Sequence, residues 1–196
     1  MDKYHIYNEI GKGEFSLVYK GREKKKIEYV AIKRIEKSMM NKIVSEVQVM
    51  HKLSSPHVLK FHDWYETRSG LWLILEYCTG GDLATLLKQD DHLPETSIQI
   101  FALDILAGLR YLHSLGIIHC DLRAKNFLID EYGILKISDF KSARTLSKCN
   151  VDKNLSIDDR GYLAYLSPEL LSQDGIYSYA SDLWALGCLL YELRRG

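Results

Sequence analysis

His119-Cys120-Asp121-Leu122-Arg123-Ala124-Lys125-Asn126 decides how this chain reads, because Asp139-Phe140 follows it at a distance that suits a single site. An Asp and an Asn five residues apart, then a second Asp after a further strand, can gather one general base and two oxygen ligands for a metal. Asp121 is the candidate base, accepting or orienting a hydroxyl proton, and Asn126 and Asp139 are the candidate metal ligands. A lone Asp in a loop is ordinarily a turn or cap residue. That alternative must account for Asp121, Asn126 and Asp139 together, with a strand hairpin between the last two, and it does so poorly.

Toward the N-terminus, residues 4–10, 16–21 and 28–35 alternate as strands do, punctuated by Gly11, Gly13 and the basic turn from Arg22 to Lys26. Residues 38–53 switch to helical period with Ile43, Val47 and Met50 on one face. Residues 59–65 and 71–77 return to a strand pattern around Ser69-Gly70, and Gly80-Gly81 breaks the chain. Gly11-Lys12-Gly13-Glu14-Phe15-Ser16 joins two strands. Its glycines let backbone N–H groups approach phosphate oxygens, although a two-glycine hairpin turn explains the same residues. Val30-Ala31-Ile32-Lys33 sets a lysine in an apolar strand, where an ammonium is costly unless paired. Glu46 on the following helix is the candidate partner, beside rather than within the apolar face; a lysine snorkelling to water is the alternative.

Toward the C-terminus the composition turns helical. Pro94 suits a first helical position, and Ile98, Ala102, Ile105, Leu109 and Leu112 recur at the spacing of a buried face that Gly116 ends. Residues 127–130 and 134–138 predict a hairpin, 141–166 a long mobile loop, and 181–193, apolar almost all round, a central buried helix. Ser167-Pro168-Glu169 reads as a helix start and Asp182 as an N-cap, each compatible with anchoring that loop. Strands first and helices second predict an α+β chain with a small sheet lobe and a helical lobe.

A length of 196 residues suits one domain, and 46% hydrophobic with 27% charged residues is an ordinary globular balance. The 26 basic and 26 acidic residues cancel, so no global field draws the chain to nucleic acid or anionic membrane. Cys78, Cys120, Cys149 and Cys188 lack paired spacing and read as free thiols rather than a disulfide frame or zinc site. No apolar run approaches a membrane span, and the first residues lack the apolar core of a signal peptide. The expectation is a cytosolic or nuclear setting, taken as cytoplasmic, without nucleic-acid or membrane partners.

Taken in order, these motifs resemble a eukaryotic protein kinase from its first strand to the central helix of its large lobe. Phe61-His62-Asp63-Trp64-Tyr65-Glu66-Thr67, Leu71-Trp72-Leu73-Ile74-Leu75-Glu76-Tyr77-Cys78 and Gly80-Gly81-Asp82-Leu83 are similar to the Fused and Runkel branch, relatives of the autophagy-initiating kinases. The resemblance implies a two-lobed protein-kinase fold over residues 1–196, with an antiparallel-sheet N-lobe over about 1–76, a hinge over about 77–81 and a mainly helical, partial C-lobe over about 82–196. The family continues with several more helices beyond Arg194-Arg195-Gly196. ATP and Mg2+ are the implied cofactors, and Ser or Thr of a protein substrate the implied acceptor of γ-phosphate. Arg123 is placed to hold the transferred phosphate beside Asp121, with Lys33 and Glu46 completing the catalytic set. Ile10, Val18, Ala31 and Leu128 would enclose adenine, Glu76 and Cys78 offer it backbone bonds, Asp82 contacts ribose, and Gly11, Gly13 and Lys33 meet the phosphates. Leu75 is the gatekeeper by the same resemblance. Met50, Phe61, His119 and Phe140 read as plain core and, in the family, as a stack linking the lobes. Microtubule- or cilium-related partners and a cytoskeletal association follow from the branch alone.

Departures from the family pattern bear on activity. Ser16 replaces a third glycine, Cys120 the Arg that receives an activation-loop phosphate, Tyr162 a Thr that braces the catalytic Asp, and Lys141 the glycine after Asp-Phe. A unit charge about 8 Å from a metal opposes each metal charge by ~2 kcal/mol at an effective dielectric constant near 20. Arg123-Ala124 resembles some tyrosine kinases more than the Lys-Pro of serine/threonine ones. In the family Glu169 pairs with an Arg from later helices; losing one partner of a buried pair costs about 3–5 kcal/mol. An uncovered apolar patch is expected around residues 183–193. Three readings result. Retention of Lys33, Glu46, Asp121, Asn126 and Asp139 favours an ATP-dependent serine/threonine protein kinase. A pseudokinase acting as a nucleotide-binding or allosteric scaffold is the second, and an inactive truncated fragment the third.

Overall fold

The computed structural model describes residues 2–90, 92–146, 163–171 and 175–195, the side chains of 40–42, 44 and 45 excepted. Two compact units emerge: Met1–Ser54 with Leu59–Thr79, and Ser55–Val58 with Gly80–Gly196.

In the first unit, β1 (Tyr4–Gly13), β2 (Ser16–Glu23), β3 (Tyr29–Ile35), β4 (Phe61–Thr67) and β5 (Gly70–Glu76) form an antiparallel sheet ordered β1-β2-β3-β5-β4. Successive side chains point to opposite faces. Val30, Ile32 and Ile74 share one face and are covered by Tyr4, Tyr19, Tyr65 and Trp72. Ala31 and Lys33 belong to the other, opposite Leu75 and Leu73 on β5 and Lys20 and Val18 on β2. The β4–β5 turn requires Gly70, at φ 140°, because a Cβ there would stand 2.1 Å from the Ile35 carbonyl oxygen. The helix α1 (Met40–Met50) buries Ile43 and Met50 as its spacing predicts, and Glu46 with them.

In the second unit, β6 (Gly81–Asp82) pairs with β8 (Phe127–Ile129), which pairs with β9 (Leu135–Ile137); β7 (Ile117–Ile118) pairs with β10 (Arg144–Thr145). Among the described residues, three α-helices accompany these strands: α2 (Leu83–Asp90), α3 (Glu95–Ser114) and α4 (Tyr179–Arg195). Along α3, Ile105, Leu109 and Leu112 are buried at the predicted spacing, and Gly116, at φ 72°, turns the chain beyond it. Pro94 stands one residue earlier than expected, as the N-cap. Residue periodicity predicts none of α2, β6, β7 or β10. Two-residue strands are too short to show a period, and α2 buries only Leu83 and Leu87.

Several expectations are corrected here. The helix α4 is not buried all round: Leu186, Leu189 and Leu193 are buried, while Leu183, Trp184 and Tyr191 are exposed. Such one-sided burial is what a helix gains by packing one face against α3 and the segments beside it. The segment predicted as a loop from 141 carries the end of a 3-10 turn, Phe140–Ser142, and strand β10; its residues 147–162, with Cys149 and Tyr162, lie outside the described residues. Ser167-Pro168-Glu169 opens only a 3-10 turn, Pro168–Leu171. Glu169 is exposed and accepts a hydrogen bond from Ser181 Oγ at 3.1 Å, so no buried-charge cost arises there. The Ser167 hydroxyl, then a backbone N–H, hold its carboxyl below the ordinary range. Asp182 is no cap: it lies inside the first turn of α4, and its carboxylate serves another loop. Among the described residues, Cys78, Cys120 and Cys188 are free thiols, and no helix is long and apolar enough to cross a membrane.

Candidate active site

Within the first unit, β1 and β2 turn at Glu14-Phe15, with Gly13 opposite Ser16 and Gly11 opposite Val18. Neither glycine needs a left-handed backbone. A Cβ on Gly13 would meet Ser16 Oγ at 2.7 Å, whereas one on Gly11 would touch Val18 at an ordinary 3.6 Å. The segment is a hairpin turn, and that geometry is compatible with a phosphate-approaching loop. Ile10 is exposed and sits in a register shift between Glu9 and Gly11. Directly paired strand residues share a face, so Gly11, Val18, Lys33, Ala31 and Leu75 line one side of the sheet. On that side Lys33 Nζ stands 3.6 Å from Glu46 Oε1, with the lysine side chain 20% and the glutamate 4% exposed. Low exposure strengthens the attraction, and an ion pair is the arrangement a lysine in an apolar strand calls for. Glu76 closes β5; its N–H donates to the Lys60 carbonyl, and its carboxylate accepts the Lys60 N–H. Cys78, just beyond β5, is half-buried.

In the second unit Asp82 caps α2, accepting the Thr85 N–H at 2.8 Å and the Thr85 hydroxyl at 2.9 Å. Leu128 pairs with Asp82 across β6 and β8. The segment 119–126 is held by backbone bonds reaching far along the chain. Asp182, 1% exposed, accepts the N–H groups of His119 at 2.9 Å and Cys120 at 3.0 Å, and its Oδ2 lies 2.9 Å from His113 Nε2. Two adjacent N–H groups aimed at one carboxylate pin the loop by charge-assisted hydrogen bonds. Cys120 adopts φ 64°, costly for a side chain with a Cβ, and packs its thiol into a cluster with Ile118, Leu166, Leu170 and Tyr177.

Asp121, 3% exposed, meets Arg123 through Oδ1–Nε at 2.9 Å and accepts from the Arg123 guanidinium at Oδ2, 3.4 Å away. Asn126 Nδ2 donates to the Asp121 carbonyl at 2.7 Å and to Asp121 Oδ2 at 3.0 Å. The Asn126 carbonyl accepts both the N–H and the hydroxyl of Ser138, at 2.9 and 2.8 Å. That places Asn126 within one residue of Asp139, joining the two motifs by hydrogen bonds. Asp139 adopts φ 61°, and Phe140 packs edge-on to His119 with ring centroids 5.2 Å apart. Lys141 Nζ lies 3.5 Å from Asp139 Oδ2. Beside Arg123, burial and then Glu192 push the Tyr165 phenol above its ordinary range.

Asp121, Arg123, Asn126 and Asp139 thus gather in the second unit, and Lys33 and Glu46 pair in the first. Residue patterns gave Asp182 only as a cap or an anchor of the later loop, and missed Ser138 as a positioning residue. An Asp at the start of an apolar helix signalled the first; nothing local signalled the second.

The donor set suits Mg2+ and ATP. No cluster of three or more His, Cys, Asp or Glu side chains suited to a metal occurs among the described residues. Mg2+ ordinarily takes one or two carboxylates and completes its shell with waters and substrate phosphates. Asn126 turns its amide nitrogen to Asp121, so its oxygen is the atom that would meet a metal, and Asp139 would add a carboxylate.

Residues 4–196 match the protein kinase domain family, and the chain belongs to it. It is 54% identical to Serine/threonine-protein kinase RUNKEL of Arabidopsis thaliana over 196 residues, all of this chain and 14% of that protein. Identity to Serine/threonine-protein kinase ULK4 of Mus musculus is 38% over 216 residues, covering 100% of this chain and 16% of that one. With Serine/threonine-protein kinase ATG1b of Arabidopsis thaliana it shares 34% over 201 residues, 98% of this chain and 28% of that protein. The chain therefore spans less than a third of each of these relatives. These similarities agree with the Fused and Runkel branch read from residues 61–83.

Proposed function

We propose that the chain is the ATP-dependent catalytic domain of a serine/threonine protein kinase, with its sheet lobe over about 1–76, hinge over about 77–81 and helical lobe from about 82. The observation that supports the reading is the hydrogen-bonded set Asp121–Asn126–Ser138, which ties the segment carrying a candidate base to the residue before Asp139. In this reading Asp121 accepts or orients the proton of a substrate hydroxyl as that oxygen bonds the γ-phosphorus. The bond from γ-phosphorus to the bridging oxygen breaks, and ADP leaves with the electron pair. Arg123, fixed against Asp121, steadies the transferred group, and Lys33 with Glu46 orients the phosphates. Mg2+ held by Asn126 and Asp139 would offset phosphate charge. Ile10, Gly11, Gly13, Val18, Ala31, Glu76, Cys78, Asp82 and Leu128 are the proposed nucleotide contacts. The names of the relatives support Ser/Thr over Tyr as acceptor. A protein substrate and a cytoplasmic setting accompany this reading; microtubule- or cilium-related partners rest on the branch alone.

The pseudokinase reading has a specific observation in its favour: the Lys141 ammonium already pairs with Asp139, a candidate metal ligand, and Cys120 offers no guanidinium for an activating phosphate. Phosphate transfer from labelled ATP to a generic protein acceptor separates the two. Transfer abolished by Asp121→Asn, with ATP-induced thermal stabilisation retained, supports the kinase. Stabilisation without transfer supports the scaffold. Neither one, at millimolar ATP, defeats both.

A further inference from the structure

Asp139 presents a carboxylate where the proposed function brings nucleotide phosphates, and two anions in a partly desolvated place repel unless a cation lies between them. Lys141 supplies one within the chain. Its Nζ is 3.5 Å from Asp139 Oδ2; the lysine side chain is 51% exposed and that of Asp139 23%. The geometry is set by the backbone. Asp139 at φ 61° feeds the 3-10 turn Phe140–Ser142, which the Ala143 N–H closes onto the Phe140 carbonyl at 3.1 Å. Phe140, 1% exposed and edge-on to His119, anchors the middle of that turn. The residues on either side of Phe140 are thereby turned toward each other, and a glycine at 141 would bring no charge.

We infer that Lys141 is a tethered counter-cation for Asp139, a substitute for the divalent metal that lets the chain hold nucleotide without it. The inference rests on the nucleotide-binding reading and concerns this chain's own lysine. Half-exposed ion pairs are weak, so Lys141 competes with a metal rather than excluding it. Neutralising Asp139 from inside the chain makes nucleotide affinity nearly insensitive to chelation and makes metal entry harder. Exposure of the lysine leaves it free to follow either Asp139 or a phosphate oxygen.

The test is ATP affinity by calorimetry, with excess EDTA and with Mg2+, alongside Mn2+ affinity by electron paramagnetic resonance without nucleotide. For the unaltered protein the two ATP affinities should agree within about threefold. Lys141→Gln should bind ATP about tenfold more weakly in EDTA, regain it with Mg2+, and bind Mn2+ several-fold more tightly. Lys141→Arg, which keeps the charge, should behave like the unaltered protein. Equal metal dependence in the unaltered protein and Lys141→Gln overturns the inference while leaving the kinase reading standing. Absence of ATP binding in either condition, with Lys33→Ala indistinguishable from the unaltered protein, overturns both. A circular dichroism melt of Lys141→Gln matching that of the unaltered protein shows that folding is not the variable.

Discussion

The two units assemble their functional side chains by different means. In the first, a charged pair is set by regular elements: β3 offers Lys33 from a sheet face and α1 offers Glu46 from a helix, meeting at 3.6 Å. In the second, irregular chain does the placing, and the bonds run backbone to side chain: Asp182 onto His119 and Cys120, Ser138 onto Asn126. Periodic elements deliver a side chain because their geometry repeats. A loop delivers one only when distant groups satisfy its backbone. The second arrangement therefore tolerates unusual backbone, and both non-glycine residues with positive φ among those described, Cys120 and Asp139, belong to it.

The largest test of this contrast is Asp121→Asn. If the loop array is catalytic, turnover should fall about 10²–10⁴-fold while ATP affinity changes less than about twofold, read from steady-state kinetics and calorimetry. A fall in affinity matching the fall in turnover would make Asp121 part of the binding pocket instead.

Asp182→Ala comes next. Removing the shared acceptor of two buried N–H groups should cost about 3 kcal/mol in urea unfolding of the second unit. A cost below about 1 kcal/mol would mean the loop holds itself.

Lys33→Ala tests the first unit. Thermal stabilisation by ATP should shrink to a small fraction, while stability without ligand drops by about 1 kcal/mol, since the lysine is one-fifth exposed. A drop as large as that of Asp182→Ala would erase the distinction between the two regions.

Asp82→Ala should cost about 1 kcal/mol through the lost cap, and Asp82→Ser should restore most of it. If Asp82 also meets ribose, Asp82→Ser recovers stability but not ATP affinity; recovery of both assigns Asp82 to capping alone.

The smallest effect is a pH slope. Glu169 has a folded-state value below its unfolded one, chiefly because the Ser167 hydroxyl favours the carboxylate. Its contribution is present above the unfolded carboxylate range and is lost as pH falls through the folded value. Ser167→Ala should slightly flatten the loss of melting temperature as pH falls below the unfolded carboxylate range. An unchanged slope assigns the acid sensitivity to other carboxylates.

The sequence by itself determined the strands of the first unit, the buried stripe of α3 and the pairing partner of Lys33. Period-two and period-3.6 patterns are local, and a lysine among Val30, Ala31 and Ile32 calls for a carboxylate wherever it lies. It also placed Asp121, Asn126 and Asp139 in one constellation, because a short hairpin limits how far apart their ends can be. Only the tertiary structure decided that Asp182 reaches 62 and 63 residues back to hold Cys120 and His119, and that Ser138 clasps Asn126. It alone decided which face of α4 stays exposed, and that Lys141, half exposed, turns onto Asp139. Each of these depends on where a side chain points after an irregular turn or a long-range contact. Such directions are set by backbone torsions and distant hydrogen-bond partners, which residue spacing does not encode.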